Sequence, residues 1–301
     1  SQDPGSGIQK KGRVIGVDGP VVDVKFEQEQ HVPNLYEIID VNSFDGRKVA
    51  LEVVEHAENN IARCIALSST LNLQYNTVAT PRGTMARVPV GNEAFGRIMN
   101  VMGEPIDRRG PIETKETSPI RKSISTIRLN PDRLIGEEFE VLETGIKMID
   151  LLFPLVKGSK TGILGGAGLG KSILTLEIIH HIVKKDQGSC VFVGVGERIR
   201  EGNELYYELL KHDILSKTMM AFGQMNDPPG ARFGVLMTGI TMAESVQRRN
   251  QDVLLFVDNV FRFVQGGAEI STLLGRVPSE TGYQPTLFSE VSEFHERIKS
   301  S

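Results

Sequence analysis

Gly165-Gly-Ala-Gly-Leu-Gly-Lys171-Ser172 fits G-x-x-x-x-G-K-[ST], the phosphate-binding loop, and its reading decides the fold. Thr161-Gly-Ile-Leu164 reads as a short buried strand before it. Ser172 to Lys185 reads as an amphipathic helix after it, with Ile173, Leu174, Leu176, Ile178, Ile179 and Ile182 as its apolar positions. Glycines let such a backbone curl until successive N–H groups point inward at a polyphosphate. The helix N-terminus adds partial positive charge. In this setting the N–H groups of Gly166, Ala167, Gly168, Leu169 and Gly170 cradle phosphate, Lys171 reaches the β- and γ-phosphates, and the Ser172 hydroxyl binds Mg²⁺. An ordinary Gly-rich turn is the competing reading, and the strand–loop–helix context argues against it.

Working outward, the 301 residues suggest about two domains. A 40% hydrophobic content is enough for a sizeable core, and a net charge of −4 argues against a general nucleic-acid surface. No apolar run approaches the ~18 residues of a membrane span, so direct membrane insertion is not expected. Cys64 and Cys190 lie far apart in apolar company, which fits buried reduced thiols. The six histidines show no metal-ligand spacing, and His180 and His181 read as solvated or capping groups late in the loop-following helix.

Residues 1–7 resemble an expression-vector remnant and are set aside. Residues 8–88 read as a small β-barrel domain. Strands are expected at 13–17, 21–26, 36–41, 47–54 and 61–66, with Val22, Val24 and Phe26 on one face and a turn at 42–46. From residue 89 to 301 strands and helices alternate, which implies a parallel sheet covered by helices. Its helical segments fall at 142–152, with Thr144 as a candidate N-cap, then at 172–185, 201–212 and 235–248. Its strands fall at 162–164, 190–195, 218–222 and 253–257. Residues 129–138 read as a surface connection.

Val253-Leu-Leu-Phe-Val-Asp258 is a buried apolar strand ending in a carboxylate, and such an Asp can hold Mg²⁺ or its water shell. Alone it is equally a turn or cap residue. Glu197, Arg198 and Glu201 cluster just past another strand, where open α/β sheets bind ligands. Hydrolysis needs a group that polarises water and a cation that meets γ-phosphate charge, and Glu197 and Arg198 are candidates for these roles. A charged helix start is the plainer alternative, because Glu201 also suits a first turn.

A wider set of segments carries a resemblance. Gly19-Pro-Val-Val-Asp-Val24, Gly96-Arg-Ile-Met-Asn-Val-Met-Gly-Glu-Pro-Ile-Asp107, Glu143-Thr-Gly-Ile-Lys147, the phosphate loop and Gly196-Glu-Arg-Ile-Arg-Glu-Gly-Asn203 come first. Gly223-Gln-Met-Asn-Asp-Pro-Pro-Gly-Ala-Arg232, Leu254-Leu-Phe-Val-Asp-Asn-Val-Phe-Arg-Phe263 and Gly282-Tyr-Gln-Pro-Thr-Leu287 follow. In this order they resemble the catalytic beta subunits of F-type rotary ATP synthases, over nearly everything after residue 8.

The resemblance implies a RecA-like α/β nucleotide-binding domain after the barrel, ending before the family's last core strands, adenine pocket and C-terminal helical domain. It implies ATP or ADP as substrate and Mg²⁺ as cofactor. Lys171 would bind phosphates, Ser172 ligate Mg²⁺, and Glu197 position the attacking water. Arg198 and Arg262 would face phosphate, Glu201 and Asp258 hold the Mg²⁺ water shell, and Tyr283 lie near the terminal phosphate. Implied partners are alpha subunits in an alternating hexameric ring and a central rotor subunit. The complex would sit peripherally on an energy-transducing membrane, on the cytoplasmic face in a bacterium. Ile199 departs from the family's usual Thr, and Ser172 from its usual Thr with the hydroxyl kept. A non-catalytic ring subunit and another hexameric motor, such as a secretion ATPase, are the alternatives. Glu197 argues against the first, and net acidity with Asp258-Asn-Val-Phe-Arg262 against the second.

Overall fold

The computed structural model describes residues 11–121, 140–165, 170–185, 188–249 and 251–298. The expected remnant at 1–7, the surface connection at 129–138 and loop residues 166–169 lie outside them.

Six antiparallel strands come first: β1 (Gly12–Asp18), β2 (Val21–Lys25), β3 (Glu37–Asn42), β4 (Lys48–Ala57), β5 (Ile61–Ala66) and β6 (Val78–Met85). They close into a barrel in the order β1-β2-β5-β4-β3-β6, which leaves no sheet edge open. Alternation places Val22, Val24 and Phe26 inside, with Val14, Ile39, Val41, Leu51 and Cys64. The sixth strand was not anticipated: Pro81 and Gly83 interrupt its apolar pattern, and its last four residues are exposed.

Short elements connect barrel and sheet. β7 (Arg87–Pro89) pairs with β9 (Thr117–Pro119), and β8 (Ile98–Met99) lies between them in sequence. A small hairpin joins β10 (Val141–Leu142) to β11 (Leu155–Val156) and encloses α1 (Lys147–Leu152). The helix expected from residue 142 therefore starts five residues later. Gly145 has φ +74, and the Asp150 carboxylate accepts from Thr144 N, Thr144 Oγ1 and Gly145 N at 2.9, 2.7 and 3.0 Å. Thr144 is thus held in a turn by Asp150, and Ile146 takes the N-cap position.

The larger domain is built on β12 (Ser189–Glu197), β13 (Thr218–Gln224) and β14 (Val253–Asp258), with β8 added, in the order β14-β12-β13-β8 and wholly parallel. Helices α2 (Lys171–Lys185) and α3 (Ile199–Lys211) cover one face. Helices α4 (Pro229–Gln247) and α5 (Val260–Leu273) cover the other, and α6 (Leu287–Arg297) packs on α5. The strand period of two divides the sheet's side chains between the layers. Val191, Val193 and Val195 join Val235 and Ile240 of α4, whereas Cys190 and Phe192 join Ile179 of α2 and Leu209 of α3.

One expected strand does not form. Thr161–Leu164 pairs with no described strand, Ile163 is 41% exposed and Leu164 is 98% exposed. An extended segment becomes a strand only where a neighbour supplies the hydrogen-bond ladder. β14 stands at the edge of the sheet, so its residues are half-buried rather than buried as its apolar sequence predicted. For the same reason Ile173, in the first turn of α2, is exposed, while Ile178, Ile179 and Ile182 are buried.

The barrel interior is a cluster of its own, but Ile38, Ala50 and Leu67 pack into the core of the sheet domain with Phe233 and Val235. Gly230 makes this approach possible: a Cβ there would lie 2.4 Å from Ile65 Cγ2 and 2.8 Å from the Ala66 carbonyl oxygen.

Candidate nucleotide site

The site forms where β12 and β14 end side by side. Glu197 closes β12, Asp258 closes β14, and the register sets Gly194 opposite Asp258. Both carboxylates therefore leave the carboxyl edge of a parallel sheet, where α/β folds bind ligands. α3 begins two residues after Glu197, which puts the exposed Arg198 at its N-cap and Glu201 in its first turn. α5 begins two residues after Asp258 and is capped by Asn259, whose Oδ1 accepts from Arg262 N at 3.0 Å. The Asp258–Asn259 peptide is cis.

Arg262 reaches back across the strand ends, and its Nη1 donates to the Gly196 carbonyl. Gly196 has φ +65, and a Cβ there would lie 2.8 Å from Arg262 Cδ. Only glycine tolerates both the backbone and the close guanidinium. Lys171 opens α2, and its Nζ donates to the Gly165 carbonyl at 2.8 Å. Ser172 follows it and is exposed.

The charges act on one another. Glu197 is 8% exposed. Burial first, then its hydrogen bond with Glu201 and the nearby Asp258 charge, push its carboxyl up to about 8. Glu201 moves down, first through that same hydrogen bond, with Arg198 and Arg262 adding to it. The two carboxyls thus share one site, with Glu197 moved up and Glu201 moved down. Burial also raises Asp258, against the attraction of Lys171. Lys171, Glu197, Arg198, Glu201, Asp258 and Arg262 accordingly form one electrostatic cluster.

Of the other expected residues, Gly170 lies just before α2 with φ +78, while Gly166, Ala167, Gly168 and Leu169 lie outside the described residues. Tyr283 is 43% exposed in a loop against α5. Its carbonyl accepts from Ser279 N at 2.8 Å, and its side chain makes no hydrogen bond among the described residues. Asn259 and Gly196 were not singled out from the sequence: their roles depend on where Arg262 points, which no local pattern reveals.

The donor set suits Mg²⁺. Hard oxygen ligands from one hydroxyl and one or two carboxylates, completed by phosphate and water, are what this ion takes. Among the described residues no three His, Cys, Asp or Glu side chains could hold a metal by themselves.

A doubly covered parallel sheet, a Gly-rich loop opening a helix and paired carboxylates at the strand ends define a nucleotide-binding α/β protein joined to a β-barrel. The chain belongs to the ATP synthase alpha/beta family: it matches that family's nucleotide-binding domain over residues 145–301 and its beta-barrel domain over residues 14–83. Members of this family bind ATP or ADP and work in oligomeric rings.

Among the described residues no helix is long and apolar enough to cross a membrane. Cys64 and Cys190 are buried free thiols, raised by burial.

Proposed function

We propose that this chain is the catalytic, beta-type subunit of an F-type rotary ATP synthase, making or hydrolysing ATP·Mg²⁺ in a ring with alpha-type neighbours around a central rotor, peripheral to an energy-transducing membrane. The observation that carries this reading is the buried Glu197 at the end of β12, with Arg262 and Lys171 facing the same cluster. The related alpha-type chains, by the resemblance, lack this carboxylate.

The chemistry follows from the groups. In the hydrolytic direction ionised Glu197 orients a water and takes its proton, directly or through a relay. Lys171, Arg198 and Arg262 offset the negative charge that gathers on the phosphate oxygens. Ser172, Glu201 and Asp258 would hold Mg²⁺ and its water shell, and the ion would neutralise phosphate charge when bound. Burial of Glu197 strengthens these interactions, because the site is poorly screened.

The test has two arms. Calorimetry with Mg·ATP should show binding to the unaltered chain and none to Lys171→Ala, which removes the loop's cation. Turnover should then depend on adding an alpha-type partner, because an arginine supplied across the interface contributes roughly 10³–10⁵ in rate. Unchanged affinity in Lys171→Ala contradicts the phosphate site. Brisk turnover by the chain alone contradicts the shared-site reading.

A further inference from the structure

Glu197 stands on the face opposite to the one its place in the sequence predicts. Along β12, Val191, Val193 and Val195 face α4, whereas Cys190 and Phe192 face α2 and α3. Strict alternation would send residue 197 with the valines, toward α4. The pairing with β13 breaks that alternation. Gly194 stands opposite Phe222 and Val195 opposite Gly223, but the next partner, Gln224, stands opposite Glu197 rather than Gly196. Gly196 is the extra residue of a β-bulge, in the left-handed region at φ +65. A slip of one residue exchanges the faces of a strand. Glu197 therefore comes out on the side of Phe222, which packs among residues of α2 and α3.

Two contacts place it there independently. Its carboxyl is hydrogen-bonded to that of Glu201, in the first turn of α3. Its Cγ fills space that a side chain at position 194 would need: a Cβ on Gly194 would lie 2.9 Å from Glu197 Cγ and 2.4 Å from Phe222 Cδ1. The bulge is held on both sides. Met225 N donates to the Glu197 carbonyl at 3.0 Å, and Arg262 Nη1 donates to the Gly196 carbonyl. A residue with a Cβ is penalised at this φ. In the regular strand it would favour, residue 196 would pair with Gln224 and Glu197 would turn toward α4.

We propose that Gly194 and Gly196 are positioning residues for Glu197. The bulge at Gly196 turns its side chain onto the face covered by α2, which Lys171 opens, and α3, which carries Glu201. Gly194 leaves room for its stem. For its purpose this rests on the reading of Glu197 as the group that activates water; its geometry stands apart from that reading.

Placement is tested without nucleotide. Glu197 and Phe222 both border the space over Gly194, so Glu197→Ala and Phe222→Leu should shift the denaturation midpoint non-additively in the unaltered chain. With Gly196→Val as background, or Gly196→Ala should the larger residue not fold, their effects should become additive. Catalysis is tested in a ring reconstituted with an alpha-type partner. Gly194→Ala, with Phe222→Leu added to make room should the single variant not fold, should keep Mg·ATP affinity within about threefold and lower single-turnover hydrolysis about 10²-fold. Adding Glu197→Gln should then lower the rate little further. Gly202→Ala is the control: the three atoms nearest its methyl would all belong to the Phe222 ring, the closest at 3.2 Å, and its rate should stay within a few-fold of the unaltered ring. Coupling that survives substitution of Gly196 overturns the role of the bulge. A full hydrolysis rate in Gly194→Ala overturns the role of Gly194. An unimpaired Glu197→Gln defeats the water-activation reading instead, and the midpoint comparison still decides the placement.

Discussion

Glu197 shows how one residue can be placed for chemistry against its own solvation. A carboxyl normally near 4.5 is pushed up to about 8 by burial and by carboxylate neighbours. Its folded-state affinity for a proton thus exceeds that of the unfolded chain. Between those two values the native state holds the extra proton, so the stability from Glu197 is full below about pH 4.5 and is lost as pH rises through 8. Burial moves Asp258 in the same direction. Glu201, moved down, has the opposite sign: its contribution is lost only as pH falls through its lowered value. Melting temperature should therefore fall between about pH 5 and 8, and Glu197→Gln should flatten that slope. Thermal scans across this range check it, and an equally steep slope in the variant would place the proton elsewhere. Activity should run the other way and rise with pH as Glu197 ionises.

At the scale of elements, much was legible because local chemistry and tertiary context agreed. β12, β13, α2 and α3 stand within a few residues of their sequence-predicted bounds, since apolar runs and periodicity matched what the neighbouring layers bury. α4 was recognised only from residue 235, because it is buried nearly all round and lacks an amphipathic start. Its true start has Pro229 at the first helical position, where the missing N–H costs nothing. α5 and α6 were missed, the first because Gly266 and Gly267 weaken its pattern, although both are buried in close packing. Thr161–Leu164 failed in the opposite sense: the local pattern says strand, but no described neighbour completes it. The site was legible as residue types at strand ends; the Arg262–Gly196 contact and the bulge that turns Glu197 were not, because both depend on segments distant in sequence. The packing also makes a prediction at this scale. Gly230→Ala drives a methyl against backbone at the start of α4 and should destabilise the protein by about 1–3 kcal/mol. A denaturation midpoint equal to that of the unaltered protein would show that barrel and helix can part freely.

For the whole molecule, the question is how barrel and nucleotide domain are joined. Apolar residues of the barrel reach into the core of the sheet domain, and a buried ion pair crosses the junction: Arg121 Nη2 lies 3.0 Å from Glu52 Oε1 of β4, with side chains only 13% and 7% exposed. The Arg121 guanidinium also stands over the rings of Tyr36, in the barrel, and Phe233, in α4. Removing one partner strands a buried charge. Glu52→Ala should cost about 3–5 kcal/mol, whereas replacing both with apolar groups of similar size should cost far less. Denaturant titrations of Glu52→Ala and of the double variant Glu52→Leu with Arg121→Met give the comparison. Because Ile38, Ala50 and Leu67 of the barrel pack into the core of the sheet domain, the unaltered chain should unfold in one transition followed equally by every probe. Two separated transitions would mean that the barrel is an independent unit.

The central claim, that Glu197 activates water in an ATP-hydrolysing ring, is tested most directly by single-turnover hydrolysis in a reconstituted assembly with an alpha-type partner. Glu197→Gln keeps the shape and a hydrogen bond to water but loses the charge that takes the proton. The account predicts ATP occupancy equal to that of the unaltered ring and a hydrolysis rate lower by about 10²–10⁴-fold. A variant within a few-fold of the unaltered rate, at equal occupancy, would contradict it and assign the activation of water to another residue.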